Sequence, residues 1–265
     1  MSESNKLFAA LMKFWRGRRG LSQLDLALSA GVSSRHVSFL ETGRSLPSIE
    51  MVRLLGATLD LSLRDCNDLL RAAGFAPSFA EPPLSLLEDD AIARALTRML
   101  AQQEPYPMIV MNASYDILQL NRSAQRLLVS IAGETSGPLN ALRILFAEGP
   151  LRDCVVHWEA TARELLGRLQ RECLRSPNDD RLARLLAELL EYPGVPRSWR
   201  QPDLSQPARA TAPVSFRVGE HELSFLTTVM RFQAPQNVTL EELQIESWFA
   251  NDAKTEALCN LLASA

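Results

Sequence analysis

The stretch Gln23-Leu-Asp-Leu-Ala-Leu-Ser-Ala-Gly31-Val-Ser-Ser-Arg-His-Val-Ser-Phe-Leu40 decides how the front of this 265-residue chain folds. Two helices that meet at a sharp angle need a small residue where their backbones approach, and Ala27 supplies it. The tight turn between them needs a residue tolerant of positive φ, and Gly31 supplies that. Leu26, Val32, Val37 and Leu40 fall where the first helix, the turn and the second helix face inward.

Helical signals continue on both sides. Leu7, Ala10, Leu11 and Phe14 have the spacing of one helical face over Lys6 to Arg18, and Gly20 ends that helix. Ser22 caps the helix that stops at Gly31, and Ser33 or Ser34 caps a third that runs to about Thr42. Ser48 caps a fourth through about Leu59, and a fifth runs from about Ser62 to Ala73 before Gly74. Residues 1–75 therefore read as an all-α domain of about five helices.

Charge divides the chain in the same place. The whole is formally −3, which taken alone argues mildly against nucleic acid. Residues 1–75, however, carry ten basic side chains against seven acidic ones, a surplus of three, so the remainder stands at −6. Apolar residues at 46% and charged residues at 22% are an ordinary globular balance, and the length fits two domains.

Three prolines between Ala76 and Pro83 make a linker, and helical spacing resumes from Glu88 to Gln102, so 76–104 reads as linker and connecting helix. From 105 to 265 the texture is α+β, with an antiparallel sheet. Strands are expected at Met108–Met111, Tyr115–Leu120, Val214–Val218, Glu222–Phe232 and Leu243–Ala250. Helices are expected at about 122–131, 139–147, 151–174, 179–191 and 252–264, with a Pro- and Arg-rich break from Tyr192 to Pro213.

Several classes are disfavoured. Cys66, Cys154, Cys173 and Cys259 form no C-x-x-C pair, so neither a zinc clip nor a disulfide framework is indicated, and reduced, packed thiols are expected. No G-x-S-x-G elbow, Gly-rich phosphate loop or H-E-x-x-H spacing occurs, so no catalytic or metal-binding set is assigned and an enzyme is not expected. Asp89-Asp90, Asp179-Asp180 and Glu241-Glu242 are adjacent carboxylates, better explained as complements of helix dipoles than as an active site. No secretory layout opens the chain and no apolar run is long enough for a membrane span, so a cytoplasmic protein is expected.

The segment from Leu21-Ser-Gln23 through Leu40-Glu-Thr-Gly-Arg-Ser-Leu-Pro-Ser48 resembles the helix-turn-helix of phage-repressor (Xre-type) regulators. The resemblance implies that the helix from about Ser33 to Thr42 enters the major groove of double-stranded DNA. Its contact candidates are Ser33, Ser34, Arg35, His36 and Ser38, with Arg35 the best reader because a guanidinium can bond guanine O6 and N7 together. Gln23 can reach phosphate or a base, and Arg44, Arg16, Arg18 and Arg19 are phosphate candidates. Each of the last three is equally well read as part of a solvated helix end, and Glu41 is read as holding its loop through backbone N–H groups. His36 is a surface side chain rather than a metal ligand on this reading.

The run Pro105 to Ala124, with its Asn121-Arg-Ser-Ala124 step, resembles the start of a PAS domain, and Asn121 is the expected N-cap. With the helix-turn-helix in front, the chain resembles the MmyB-like transcription regulators, a departure being the charged tail Gln236 to Gln244 on the last strands. That resemblance implies a PAS-like domain holding a small hydrophobic ligand, a fatty acid or other acyl chain, while nothing in the sequence favours haem or flavin, with just His157 and His221 in that half and no flavin-reactive Cys motif. Candidate lining residues are Met108, Val110, Leu118, Phe146, His157, Trp158, Phe225, Val229, Met230 and Trp248, although for any single one of them plain core is the favoured reading. His157, Arg126 and Arg143 are candidate cations for a carboxylate head, and which sheet face lines the pocket is open. A homodimer is expected, since such proteins read paired half-sites. The alternative is a regulator whose PAS-like domain only dimerises or binds protein, its cavity filled by side chains.

Overall fold

The computed structural model describes residues 3–84, 91–133, 137–177, 179–201, 214–232 and 237–264. Of the sequence expectations, Asp89-Asp90, the start of the connecting helix, the passage 202–213 and Gln236 lie outside the described residues. The chain divides into two compact units, 1–82 with 233–241, and 83–232 with 242–265.

The first unit holds five helices, α1 (Glu3–Arg18), α2 (Gln23–Ala30), α3 (Ser34–Glu41), α4 (Ile49–Thr58) and α5 (Leu63–Ala72). Their boundaries follow from local chemistry. The Ser22, Ser33, Ser48 and Ser62 hydroxyls each accept a backbone N–H at the start of the following helix, and Ser22 forms a full capping box with Asp25. Gly31 closes α2 at φ 66°, where an L side chain would be strained. Leu26, Ala27, Val37 and Leu40 are buried as the helix-turn-helix reading requires. The face of α1 differs from expectation, for Leu7 and Phe14 are exposed while Phe8, Met12 and Trp15 enter the core. Both stripes have helical spacing, and the one with the larger apolar side chains is buried.

This unit also contains all but the last residue of α12 (Val238–Glu242), a short helix in what reads from the sequence as a charged strand extension. The Val238 N–H donates to the Ala80 carbonyl at 2.9 Å, and the Thr239 hydroxyl to the Pro82 carbonyl at 2.6 Å. The Glu241 carboxylate accepts the Leu63 N–H at 2.7 Å, at the positive end of the α5 dipole.

The second unit begins with α6 (Ala91–Gln102) and contains an antiparallel five-stranded sheet. The strands are β1 (Met108–Met111), β2 (Ile117–Leu120), β3 (Val214–Val218), β4 (His221–Met230) and β5 (Gln244–Ala250), in the order β2-β1-β5-β4-β3. The register pairs Ile109 with Glu246, Val229 with Glu246, and Thr227 with Trp248. Met108, Val110 and Ile245 pack with Leu96 of α6 on one face of the sheet. The other face meets α7 (Arg122–Ala132), α8 (Ala141–Phe146), α9 (Pro150–Cys154), α10 (Trp158–Arg175) and α11 (Asp180–Leu189), and α13 (Ala253–Ser264) closes the unit against α7 and β4.

One long helix expected over 151–174 is broken. Val156 N–H bonds the Ser215 carbonyl at 2.8 Å, Val155 bridges to Phe216, and His157 adopts φ 55° before α10 starts. Two β-branched residues suit that strand-like detour. Asn121 is the N-cap of α7 and does more than cap. Its side-chain oxygen accepts the N–H groups of Ala124 at 3.0 Å and Met108 at 2.9 Å, and its amide donates to the Tyr106 carbonyl at 2.8 Å. Asn121→Ala leaves two buried N–H groups without a partner, and we expect a loss of about 2–4 kcal/mol in urea unfolding of the second unit. An unchanged midpoint would show that the cap is dispensable.

Candidate functional site

The DNA-facing candidates separate into two sets. Arg18, Ser34, Arg35 and Arg44 are exposed, and the Arg35 and Arg44 guanidinium carbons lie 5.1 and 6.0 Å from the Phe39 ring centroid. That aromatic contact steadies two long cationic side chains beside α3 without consuming their hydrogen-bond donors. Ser33 spends its hydroxyl on the His36 N–H, and His36 and Ser38 are half-buried.

The second set is engaged within the fold, Arg16 and Gln23 half-buried and Arg19 exposed. Arg16 donates to both oxygens of Glu41, at 2.5 and 3.0 Å, and to the Leu21 carbonyl at 2.7 Å. Gln23 donates to Glu41 at 2.7 Å, and Arg19 binds the carbonyls of Leu59 and Asp60. The Glu41 side chain is only 3% exposed. Burial alone would raise its pKa, but hydrogen bonds from Arg16 and Gln23, with the charges of Arg16 and Lys13, hold it below the usual carboxylate range. Glu41 therefore receives side-chain donors from α1 and α2, where the sequence reading gave it backbone N–H groups. Arg16, Arg19 and Gln23 act first as braces of the fold.

In the second unit a cavity of about 840 Å³ lies between the sheet and the helices. Ile109, Met111, Leu127, Leu145, Leu165 and Val214 are among its apolar walls. One helix gives it a graded stripe, for Thr161, Leu165, Arg168, Glu172 and Arg175 recur on α10 at alternating steps of four and three and all line the space. The apolar end gives way to Arg168, Arg171, Arg175 and Arg231, and the carboxyl groups of Glu164, Glu172 and Glu246 also line the space.

These polar groups are networked. Arg168 donates to Gln244 at 2.8 Å and to Glu172 at 3.4 Å, and Glu172 accepts the Tyr115 hydroxyl at 2.7 Å. Arg231 lies 3.7 Å from the same Glu172, and its side chain is 55% exposed. Burial and the Glu172 charge push the Tyr115 hydroxyl pKa well up, so it stays a donor. Burial likewise pushes the Glu246 carboxyl up, against the opposing pull of Arg168 and a 2.8 Å hydrogen bond from Trp248 Nε1.

Of the lining residues expected from the sequence, Val229 and Trp248 border this cavity. Met108 and Val110 sit on the opposite sheet face, because Ile109 and Met111 are the β1 residues that point inward. Phe146 and Phe225 are solid core, and Leu118 and Met230 are exposed. Trp158 packs on Phe146 and donates to the Leu145 carbonyl at 2.8 Å. The three candidate head-group cations lie elsewhere. Arg143 is forked onto Glu188, Arg126 binds the carbonyls of Leu262 and Ala263, and His157 precedes α10 in a left-handed turn. The sequence reading missed Tyr115, Arg168, Glu172, Arg231 and Glu246. The signal available was the α10 stripe and the polar residues Gln244 and Glu246 alternating with Ile245 in a buried strand.

No disulfide joins the cysteines, and burial first of all pushes the Cys173 and Cys259 thiols up to about 11. Among the described residues no helix is long and apolar enough to cross a membrane.

A helix-turn-helix family model matches residues 12–66, from the middle of α1 into α5. The model of the MmyB-like transcription regulator ligand binding domain matches residues 92–262, and the chain belongs to that family. No curated protein matches it. The front unit is thus a regulator's helix-turn-helix, and the cavity lies within a ligand-binding domain.

The brace has a pH signature. Because the folded-state pKa of Glu41 is lowered, its stabilisation is present above the ordinary carboxylate value of about 4.3 and is lost as pH falls below it. Glu41→Gln is expected to lower stability at neutral pH and to flatten that acid-side loss, as read from urea unfolding at neutral and acid pH. An acid-side slope identical in the variant would remove Glu41 as its source.

Proposed function

We propose that this DNA-binding transcription regulator senses a single-chain amphiphile with a carboxylate head, a fatty acid or similar acyl ligand. The observation that carries the reading is the cavity, whose apolar wall ends in four arginines. Its volume, about 840 Å³, falls in the roughly 300–1,000 Å³ range of small-molecule sites. An acyl tail replaces water along the apolar wall, and a carboxylate meets Arg231 and its neighbours at the open end, where Val229 and Arg231 are partly exposed. An empty space of this size favours a sensor over a domain that only dimerises. The antiparallel sheet with most of its helices packed on one face and α6 on the other supports a PAS-like architecture.

For the ligand to regulate, it must favour one state of the protein over another. The chain gives a direct route. β4 and β5 both line the cavity, and the segment that joins them, 233–241, belongs to the DNA-binding unit. Its last residue, Glu241, binds Leu63 within the DNA-binding unit, and the next, Glu242, binds Arg181 at 2.8 Å within the ligand-binding unit. A cytoplasmic homodimer reading paired half-sites is the form in which we expect this to operate.

Native mass spectrometry of the purified protein, with dodecanoate added, tests the sensor. A 1:1 adduct per chain is expected, and Arg231→Leu is expected to weaken it. Absence of any adduct, together with no ligand extracted by organic solvent, would count against the reading. On DNA, Arg35→Ala is expected to cost about 1–3 kcal/mol on the specific site and much less on random sequence. Equal loss on both would make Arg35 a phosphate contact. Arg16→Ala is expected to lower stability instead, through the loss of the Glu41 brace.

A further inference from the structure

Glu246 is unusual for its place. It stands in β5, the middle strand of the sheet, with the apolar residues Ile109 and Val229 as its cross-strand neighbours, and its side chain lines the cavity. A carboxyl group in an apolar wall is costly unless its oxygens and proton are hydrogen-bonded. Here one oxygen, Oε1, accepts the Trp248 indole N–H at 2.8 Å, and among the described residues Oε2 has no hydrogen-bond partner. The contrast with Glu172 is informative, since that carboxylate is shared by Tyr115, Arg168 and Arg231.

The position is also distinct from the arginine end. Gln244, which binds Arg168, is two residues away on the same strand face, so Glu246 stands about 7 Å further along β5, near enough to feel the Arg168 charge but not hydrogen-bonded to it. Four arginines near the mouth disfavour a cationic ligand that would simply neutralise Glu246. An acidic head bound at those arginines would place the first part of its own chain beside the free oxygen of Glu246.

We infer that Glu246 and Trp248 form a second polar subsite, which selects acyl ligands carrying a hydroxyl group on the chain near the carboxylate over plain saturated ones. This rests on the acyl-sensor reading above and narrows it. Burial favours the neutral carboxyl, which can both donate to and accept from a hydroxyl. A plain methylene chain laid over the same spot leaves the group unpaired, the situation in which a polar pocket rejects an apolar analogue most strongly.

The test is a set of dissociation constants, by calorimetry on the full chain, for dodecanoate and its 3-hydroxy and 5-hydroxy derivatives. At least one hydroxylated acid is expected to bind the unaltered protein about ten-fold or more tightly than dodecanoate. Glu246→Gln, which keeps a donor and an acceptor, is expected to retain most of that preference. Glu246→Leu is expected to bind dodecanoate as well as or better than before and to lose the preference, with circular dichroism confirming its fold. Binding of all three acids within about threefold, or a preference that survives in Glu246→Leu, would overturn the subsite while leaving the acyl sensor standing. Failure of every acid to bind the unaltered protein would sink both.

Discussion

Strand β5 has a hydrogen-bonded neighbour on each side, so its side chains can only alternate between the two faces of the sheet. Ile245 goes to the face covered by α6, and Gln244, Glu246 and Trp248 go to the face that looks at α10. A slip of one residue would put a carboxyl against Leu96 and an isoleucine into the cavity. The register is therefore fixed by chemistry at both faces. It also fixes what the cavity can be, for polar groups along one wall cannot be covered by collapsing apolar side chains onto them. The Arg168, Glu172 and Tyr115 network holds α10 to that wall while leaving the apolar remainder open.

The two units treat a buried acid in opposite ways. Glu41 is saturated by donors from Arg16 and Gln23, so its charge is stabilised and its role is to join α1, α2 and α3. Glu246 is left short of partners, and its charge is disfavoured. Full satisfaction marks a brace, whereas incomplete satisfaction in a cavity wall marks a group that a ligand can complete. The same distinction sorts the arginines, with Arg16 and Arg19 donating to the fold's own carboxylate and carbonyl oxygens and Arg35 and Arg44 held at the surface by an aromatic ring.

Helix ends in the front unit were legible because they are local. A serine three residues ahead of the N–H it accepts, or a glycine at positive φ, is visible without knowing what lies across the fold. The alternation of the strands was legible for the same reason. What could not be read was any choice between two equal patterns. Phe8, Met12 and Trp15 compete with Leu7, Leu11 and Phe14 on α1, and Ile109 and Met111 compete with Met108 and Val110 on β1. Only the partner elements decide such cases, and they come from far along the chain. The Arg16–Glu41 pair is 25 residues apart and the Arg168–Gln244 pair 76, so neither spacing carried a signal.

The excursion of 233–241 bears on how such a protein can be rearranged. The ligand-binding family match, 92–262, runs straight through those nine residues, although they complete the DNA-binding unit. The boundary between the units is thus crossed three times, and no single cut separates them. Joining residues 1–82 to another ligand-binding domain would omit the Val238, Thr239 and Glu241 bonds to Ala80, Pro82 and Leu63. A working hybrid must carry a matching segment between its own fourth and fifth strands. Recombination between relatives is thereby restricted to partners whose sensor carries a segment that can complete the reading head.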